Sequence, residues 1–493
     1  MKSLLRTIGL SLLLAVAACS FAPTYHIPAS APPRSEYNEQ GDWLRAQPLD
    51  DQSRGSWWTI FHDPQLDALE LKVKASNQDL QAAFARWQEA RATTRIARSA
   101  LFPTLNAGAS AARARVSKNA ASYLPGEEPT FNNFDVQADL SYEIDVWGRI
   151  RNTVTAAKAN QQASAGDLVS VELAVRAELA TDYYTLRSQD AEKSLLARTV
   201  ADYTKALELT QRLYKGGAAA QTDVDQAQAQ LESARTQAAE IALARSQTEH
   251  AIALLVGENP TGFHIDALPL PPDTVPPRLE PGLPSTLLER RPDVAAAERR
   301  VAAANAEIGV ARAAFFPIFD LFTAIGFDSS NTSTWLNAPS RTWSVGPTAL
   351  LTVFDAGRHK AQAEQAHARY DEQVANYRNT VLTAFQEVED NLAALHRLEE
   401  ESVSEAAAVT ATGRALEQAQ HRYKAGLVTY LEVSSTETTA LQAQLTQVSI
   451  LNRRMTASVL LIRALGGGWR VTQVKEESLA RSDESPSIQR PTG

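Results

Sequence analysis

The chain holds a single cysteine among 493 residues, Cys19, which excludes an internal disulfide. Aromatic residues make up only 7%, while alanine and glutamine are used heavily. That balance suits long helices better than a compact enzyme core. There is no excess of basic residues. The formal net charge is −9, and no basic patch is dense enough to suggest nucleic acid. The HExxH, GxSxG, P-loop and CxxC patterns are missing from the sequence, which removes the chemistries that depend on them. The eight histidines are scattered. His359 and His367 share a predicted helix but lie too far apart to chelate one metal directly. Neither a cofactor nor enzymatic activity is therefore expected. After Cys19 there is no run of roughly eighteen apolar residues, so no transmembrane helix is expected. A membrane crossing would have to be a β-barrel.

What is present begins with an address. Lys2 and Arg6 are the charged start of a signal peptide over residues 1–18, and Ile8 to Val16 is its apolar stretch. Val16-Ala17-Ala18-Cys19 resembles the lipobox of bacterial lipoproteins. A plain signal peptide with an incidental cysteine is the alternative. The lipobox implies a diacylated thioether and an acylated amine at Cys19. With Ser20 next rather than Asp, it implies an anchor in the outer membrane of a Gram-negative bacterium. Each buried acyl methylene contributes roughly 0.8 kcal/mol, so several chains hold firmly. Residues 19–56 read as an extended, lipid-tethered leader. In WWTIFHDPQLDAL (57–69) the two Trp read as packing the start of a helix at Asp63-Pro64.

One run organises the rest. Phe134 to Trp147 reads FDVQADLSYEIDVW. Val136, Ala138, Leu140, Tyr142 and Ile144 take one face, and Asp135, Gln137, Asp139, Ser141, Glu143 and Asp145 the other. Period two predicts a strand with one apolar and one acidic face. Gly148 ends it. The stretch from Arg149 to Leu213 has no proline and predicts a helix of roughly 65 residues.

The chain then repeats itself. Asp79 to Pro103 aligns with Asp293 to Pro317 at one constant offset, sharing Asp79/Asp293, Arg98/Arg312 and Pro103/Pro317. At a second constant offset, Gly148-Arg149 matches Gly357-Arg358, Tyr214-Lys215 matches Tyr423-Lys424, and Gly217 matches Gly426. The expected architecture is a duplicated unit of about 210 residues. The units cover 57–257 and 290–465, joined by a Pro-rich connector at 258–289. A tail at 466–493 follows, its distal part expected to be disordered. Each unit reads helix, strand, loop, strand, long helix, turn, helix. Strands are expected near 102–115, 131–147, 316–328 and 341–355. In the first unit two shorter helices, about 73–99 and 223–256, together match the long helix in length. Val224, Ala227, Leu231, Ala234, Ala238, Ile241 and Arg245 step as a heptad seam. Arg245 within it reads as a face that partly meets water.

Four strands cannot close a barrel, since about eight is the minimum, and an open edge in lipid is forbidden. The chain must therefore oligomerise. Two copies would give a barrel filled by side chains; three would leave an open channel, and the trimer is the preferred reading. Asp135, Asp139, Glu143 and Asp145 would then line the lumen and favour cations, unless the pore is wide enough that they are merely solvated. The second unit's strand, Arg341 to Phe354, keeps the apolar face but carries Thr, Ser and Gly opposite. The acidic lining thus reads as a feature of the first unit.

WWTIFHDPQLDAL (57–69), YEIDVWGRIR (142–151), RRPDVAAAE (290–298), IGVARAAFFP (308–317) and FDAGR (354–358) carry a family resemblance. The chain resembles the TolC-like outer-membrane efflux channels, and among them the lipoprotein branch serving multidrug pumps of the resistance-nodulation-division type. The resemblance implies a mainly α fold with a membrane β-barrel: a trimer whose twelve-stranded barrel continues into a long α-helical periplasmic tunnel. It implies passive conduction of drugs or other small molecules, delivered by an inner-membrane pump through a periplasmic adaptor protein. The two interhelix turns would form the periplasmic tip that contacts the adaptor: Tyr214, Lys215, Gly216 and Gly217, and Tyr423, Lys424, Ala425 and Gly426. Family members close the tip with a hydrogen-bonded Asp–Tyr–Arg network. Asp223 and Tyr423 fall at the Asp and Tyr positions, but Val428 stands at the Arg position. Glu432 falls where an acidic ring narrows the tip, and Ser435 replaces the next acid. The gate would therefore use Asp223, Tyr423 and Glu432 with a different lock. The alternatives are a channel for type I protein secretion and, from another class, a periplasmic adaptor or structural coiled-coil lipoprotein.

Overall fold

A computed structural model describes residues 20–29, 56–119, 126, 128–277 and 291–467. The expected signal peptide, Cys19, most of the leader, the end of the connector and almost all of the tail lie outside the described residues. A 3-10 turn at Trp57–Phe61 leads into α1 (Pro64–Ser76), α2 (Gln78–Ser99), β1 (Thr104–Arg115), β2 (Thr130–Glu143), α3 (Arg149–Lys215) and α4 (Gln221–Leu255). The second half gives α5 (Pro292–Ala313), β3 (Ile318–Ser329), β4 (Arg341–Leu350), α6 (Arg358–Lys424) and α7 (Tyr430–Ala464). Helices α3 and α6 have 67 residues each, and α4 and α7 have 35 each. Equal lengths at equivalent places are what a duplication leaves. The described residues fall into two compact units, and each draws on both repeats. One takes 20–29, 86–164 and 296–377; the other takes 56–85, 165–277, 291–295 and 378–467.

The first unit holds a four-stranded antiparallel sheet in the order β1-β2-β3-β4, open at both edges. Its register puts Val136, Ala138 and Leu140 opposite Phe327, Ile325 and Thr323 on one side and Ala109, Ala107 and Leu105 on the other. Ile325 and Thr323 in turn face Trp343 and Val345. Over the helix-side and middle parts of the strands one face is therefore largely apolar, as the alternation predicts. Gly326 is obligatory: a Cβ there would come within 2.3 Å of the Val136 carbonyl oxygen. Beyond the helix-side ends of the strands, Trp147 donates its indole N–H to the Pro317 carbonyl at 2.8 Å, and its ring lies 4.9 Å from Phe316. Phe21 stacks on Phe316 at 4.5 Å.

The second unit is helical, and its core gathers Trp57, Trp58, Leu66, Val73, Leu179, Tyr183, Leu186, Ile252 and Val256. The Trp pair is buried, with the Arg176 guanidinium 4.3 Å over the Trp58 ring. Asp63 does two jobs. One carboxylate oxygen caps α1 by accepting from the N–H groups of Gln65 and Leu66; the other accepts from Tyr183 at 2.8 Å and Arg187 at 2.6 Å. The single helix expected near 73–99 is two helices broken at Asn77. Its ψ of 127° leaves the helical region, and its side chain caps the next helix through Leu80 N–H at 2.8 Å. Asn77 also donates to the carbonyl of Leu255, at the end of α4. Arg291 does the same for the carbonyl of Ala464, at the end of α7, while pairing with Asp293 and Glu387. Unlike side chains thus close the two repeats at equivalent points.

Arg245 corrects the seam reading. It is 6% exposed. It pairs with Asp190 at 2.6 Å and Glu249 at 3.0 Å and donates to the Ile265 carbonyl at 2.8 Å. The same two acids accept from the N–H groups of Leu268 and Ile265. The face does not meet water; it binds the connector.

Candidate functional site

The polar face of the sheet is the first candidate. Asp135 stands opposite Ser110 and Asp328, Asp139 opposite Asn106 and Ala324, and Glu143 opposite Asp320. Thr348, Ser344 and Thr342 complete the face on β4, opposite Asp320, Ala324 and Gly326. The parity of β3 puts Asp320 and Asp328 on this face, a signal that its more prominent apolar members obscure in the sequence. The acidic face therefore draws on both repeats, not on the first alone. Asp145 leaves it. The strand ends at Glu143, and the Asp145 carboxylate instead accepts from the N–H groups of Ile150 and Arg151 at 3.0 and 2.9 Å, capping α3. Glu143 is paired with Arg149, whose Nε lies 2.8 Å from its carboxylate. Asp139 accepts from Gln137.

The interhelix turns are the second candidate. After α3, Gly216, Gly217 and Ala218 donate backbone N–H groups to Arg212, Tyr214 and Leu213. After α6, Ala425, Gly426 and Leu427 donate to His421, Tyr423 and Arg422 in the same pattern. Gly217 at φ 75° and Gly426 at φ 71° supply the left-handed residue that this helix ending needs. Lys215 and Lys424 are the last residues of their helices, where a cation complements the helix dipole.

The side chains of the two turns differ. Asp223 accepts from the backbone N–H of Ala220 at 3.2 Å, one half of a capping box, since Ala220 has no side-chain acceptor to complete it. Glu432, at the equivalent position, instead pairs with Arg422 at 2.6 Å. Tyr214 is 44% exposed. Tyr423 donates its hydroxyl to Thr210 of α3 at 3.3 Å and packs against Tyr430 with ring centres 5.6 Å apart. Within one chain Asp223 and Tyr423 thus have separate partners. Arg422 escaped notice because its partner lies ten residues on, across the turn.

Above the turns, a polar cluster ties three helices. Gln230 of α4 donates to Tyr203 of α3 at 3.2 Å and to Thr438 of α7 at 3.0 Å, and Ser434 donates back to it. Glu437 is 5% exposed, with the Tyr430 hydroxyl 3.4 Å away. Burial pushes its carboxyl up to about 7, against the opposing hydrogen bonds from Gln420 and Tyr430.

The profile of the family described as outer membrane efflux protein matches residues 71–258 and, separately, 283–467. The chain is 32% identical over 479 residues to the toluene efflux pump outer membrane protein TtgC of Pseudomonas putida, covering 96% of each. It is 30% identical over 458 residues to the cation efflux system protein CusC of Escherichia coli, covering 93% of this chain and 97% of the relative. The solved outer-membrane channel OprN superposes with a TM-score of 0.83 at 30% identity, covering 92% of this chain and 100% of that one.

Proposed function

The chain belongs to the outer membrane efflux protein family, and from that premise we propose that three copies close their sheets into one barrel, continuous with a helical periplasmic tunnel. The protein is an outer-membrane channel component of a tripartite efflux system, a conduit rather than an enzyme. The open, two-faced sheet carries the proposed assembly. Among the described residues, strands β1 and β4 each have a strand partner on one side only. In hydrocarbon, each unmatched backbone group costs several kcal/mol, so the edges must be joined by further copies. Two copies of four strands leave an interior that side chains fill; three leave a channel. The strands have 12, 14, 12 and 10 residues, against roughly 9–11 needed to cross a bilayer when tilted.

The finer assignments belong to this reading. Cys19 carries the acyl anchor in outer-membrane lipid. The two turns, at 214–217 and 423–426, meet a periplasmic adaptor protein, and an inner-membrane pump supplies the cargo. Asp135, Asp139, Asp320 and Asp328 line the lumen, with Glu143 muted by Arg149. Asp223, Tyr423 and Glu432 gate the tip, with Arg422 supplying the cation that Val428 cannot. The cargo is small molecules, the class to which the toluene and cation relatives' names belong. Purified protein in planar bilayers tests the reading: a mass of three chains with discrete conductance steps is expected. A monomer soluble once its lipid is removed would overturn it. Cys19→Ser is expected to abolish fatty-acid labelling while leaving conductance.

A further inference from the structure

At the ends of the strands away from the helices, the apolar sheet face changes character. Register and parity place Arg113 and Arg115 of β1 and Arg341 of β4 on the same face as Val136, Ala138 and Leu140. All three are exposed, and among the described residues no carboxylate pairs with them. Their same-face cross-strand neighbours are Asn132, Thr130 and Phe327, none of them acidic. Of the described acids at this end, Asp135 and Asp328 sit on the opposite face, and Glu128, two residues before Thr130, makes no ion pair with the arginines. Beside the arginines, Trp343 is 73% exposed and Trp335 packs 5.7 Å from Phe134. Indole rings at a strand end mark a lipid–water boundary. Arginine on a lipid-facing position is tolerated there because its stem lies along apolar surface while its head reaches polar groups.

We propose that Arg113, Arg115 and Arg341 form an outward-facing site for the phosphates of a phosphorylated glycolipid in the outer leaflet. This rests on the barrel reading. In a closed barrel β4 of one copy adjoins β1 of the next, antiparallel, so Arg341 of one meets Arg113 and Arg115 of the other at the same end. Three guanidiniums without a carboxylate partner among the described residues match a phosphate monoester, which accepts paired N–H donors and carries up to two charges. The aromatic rings beside them sit against the sugar and the first acyl methylenes. A zwitterionic headgroup, which brings its own cation, fits this site poorly.

The test uses the full chain in phosphatidylcholine nanodiscs. The discs are doped either with bisphosphorylated lipid A or with the same glycolipid stripped of phosphate. Retained glycolipid per assembly is counted by native mass spectrometry, and conductance is measured on the same preparation. The unaltered protein is expected to retain the phosphorylated form about tenfold better. The combined variant Arg113→Gln, Arg115→Gln, Arg341→Gln is expected to lose that preference while still conducting. Equal retention of the two glycolipids by a conducting unaltered protein overturns the site and leaves the channel reading standing. A preference that persists in the conducting variant also overturns it. If the variant does not assemble, the two-lipid comparison on the unaltered protein decides. A protein that neither inserts nor conducts overturns both proposals.

Discussion

The two repeats share a backbone and differ in where they bury polar side chains. Both long helices run 67 residues, both returning helices 35, and both turns close with the same three backbone hydrogen bonds. In the first repeat one buried charge cluster centres on the returning helix, where Arg245 holds Asp190, Glu249 and the connector. The equivalent Arg454 is half-buried and, among the described residues, reaches the Ser402 hydroxyl at 3.4 Å without an ion pair. In the second repeat one buried polar contact sits next to the turn, at Tyr430 and Glu437, and another, at Arg291, sits at the far end of α7. The equivalents of Tyr430 and Glu437, Gln221 and Gln228, are exposed. The fold tolerates the exchange because backbone geometry, set by the turn glycines and helix lengths, does not depend on which side chains fill the seam.

The largest effect should come from breaking the buried pair. Arg245→Ala leaves Asp190, 1% exposed at its side chain, without its cation, and removing one partner of a buried pair costs about 3–5 kcal/mol. Arg454→Ala should cost less than about 1 kcal/mol. Thermal unfolding followed by circular dichroism separates them; equal losses would mean that the repeats are energetically alike.

Next comes pH. The Glu437 carboxyl is raised from 4.5 to about 7 by burial, so the folded state holds its proton more tightly than the unfolded state. Its contribution is fully present below about pH 4.5 and is lost as pH rises through about 7. The difference amounts to roughly 3 kcal/mol. Glu437→Gln should flatten the stability profile between these values, whereas Gln228→Glu in the first repeat, being exposed, should add no slope. A profile unchanged by Glu437→Gln would assign the slope to other buried acids.

How much of this could be read beforehand follows from range. The alternation at 136–144 and the glycines at 217 and 426 are local signals, and sheet faces and turns follow from them. The break at Asn77 has no strong local signal because asparagine is compatible with a helix; its cap on Leu80 and its contact with Leu255 stabilise the break. Arg245 looked wet because its partners lie 55 residues away on α3 and on the connector. Asp145 shared the parity of the strand but not its length. A period cannot say where pairing stops, and the need to cap α3 decides it. Asp320 and Asp328 join the acidic face only once the register sets them opposite Glu143 and Asp135.

A smaller effect probes what the turns share. Gly217→Ala and Gly426→Ala each force a Cβ into the left-handed region, at φ 75° and 71°. Each should cost about 1 kcal/mol. Equal losses are expected, since nothing lies within 4 Å of either added methyl and only the backbone matters. An unequal pair would mean that the side-chain contacts of the second turn also fix its backbone.

The smallest stability effect carries the sharpest functional contrast. The Arg422–Glu432 pair is open to water, with side chains 54% and 41% exposed. Arg422→Gln should therefore shift stability by no more than about 0.5 kcal/mol once solvent screening is allowed for. It nevertheless releases one carboxylate per chain at the turn, and three such turns would ring the mouth of the proposed tunnel. Cation over anion permeability should rise in reversal-potential measurements at low salt, and the change should fade toward about 1 M as the charges are screened. Leu213→Gln, at the equivalent place in the first repeat, frees no charge, because Asp223 is engaged with its own helix start. Permeability should stay where it was. A selectivity change in both variants would place the effect in the shape of the mouth; a change in neither would place Glu432 away from the ion path.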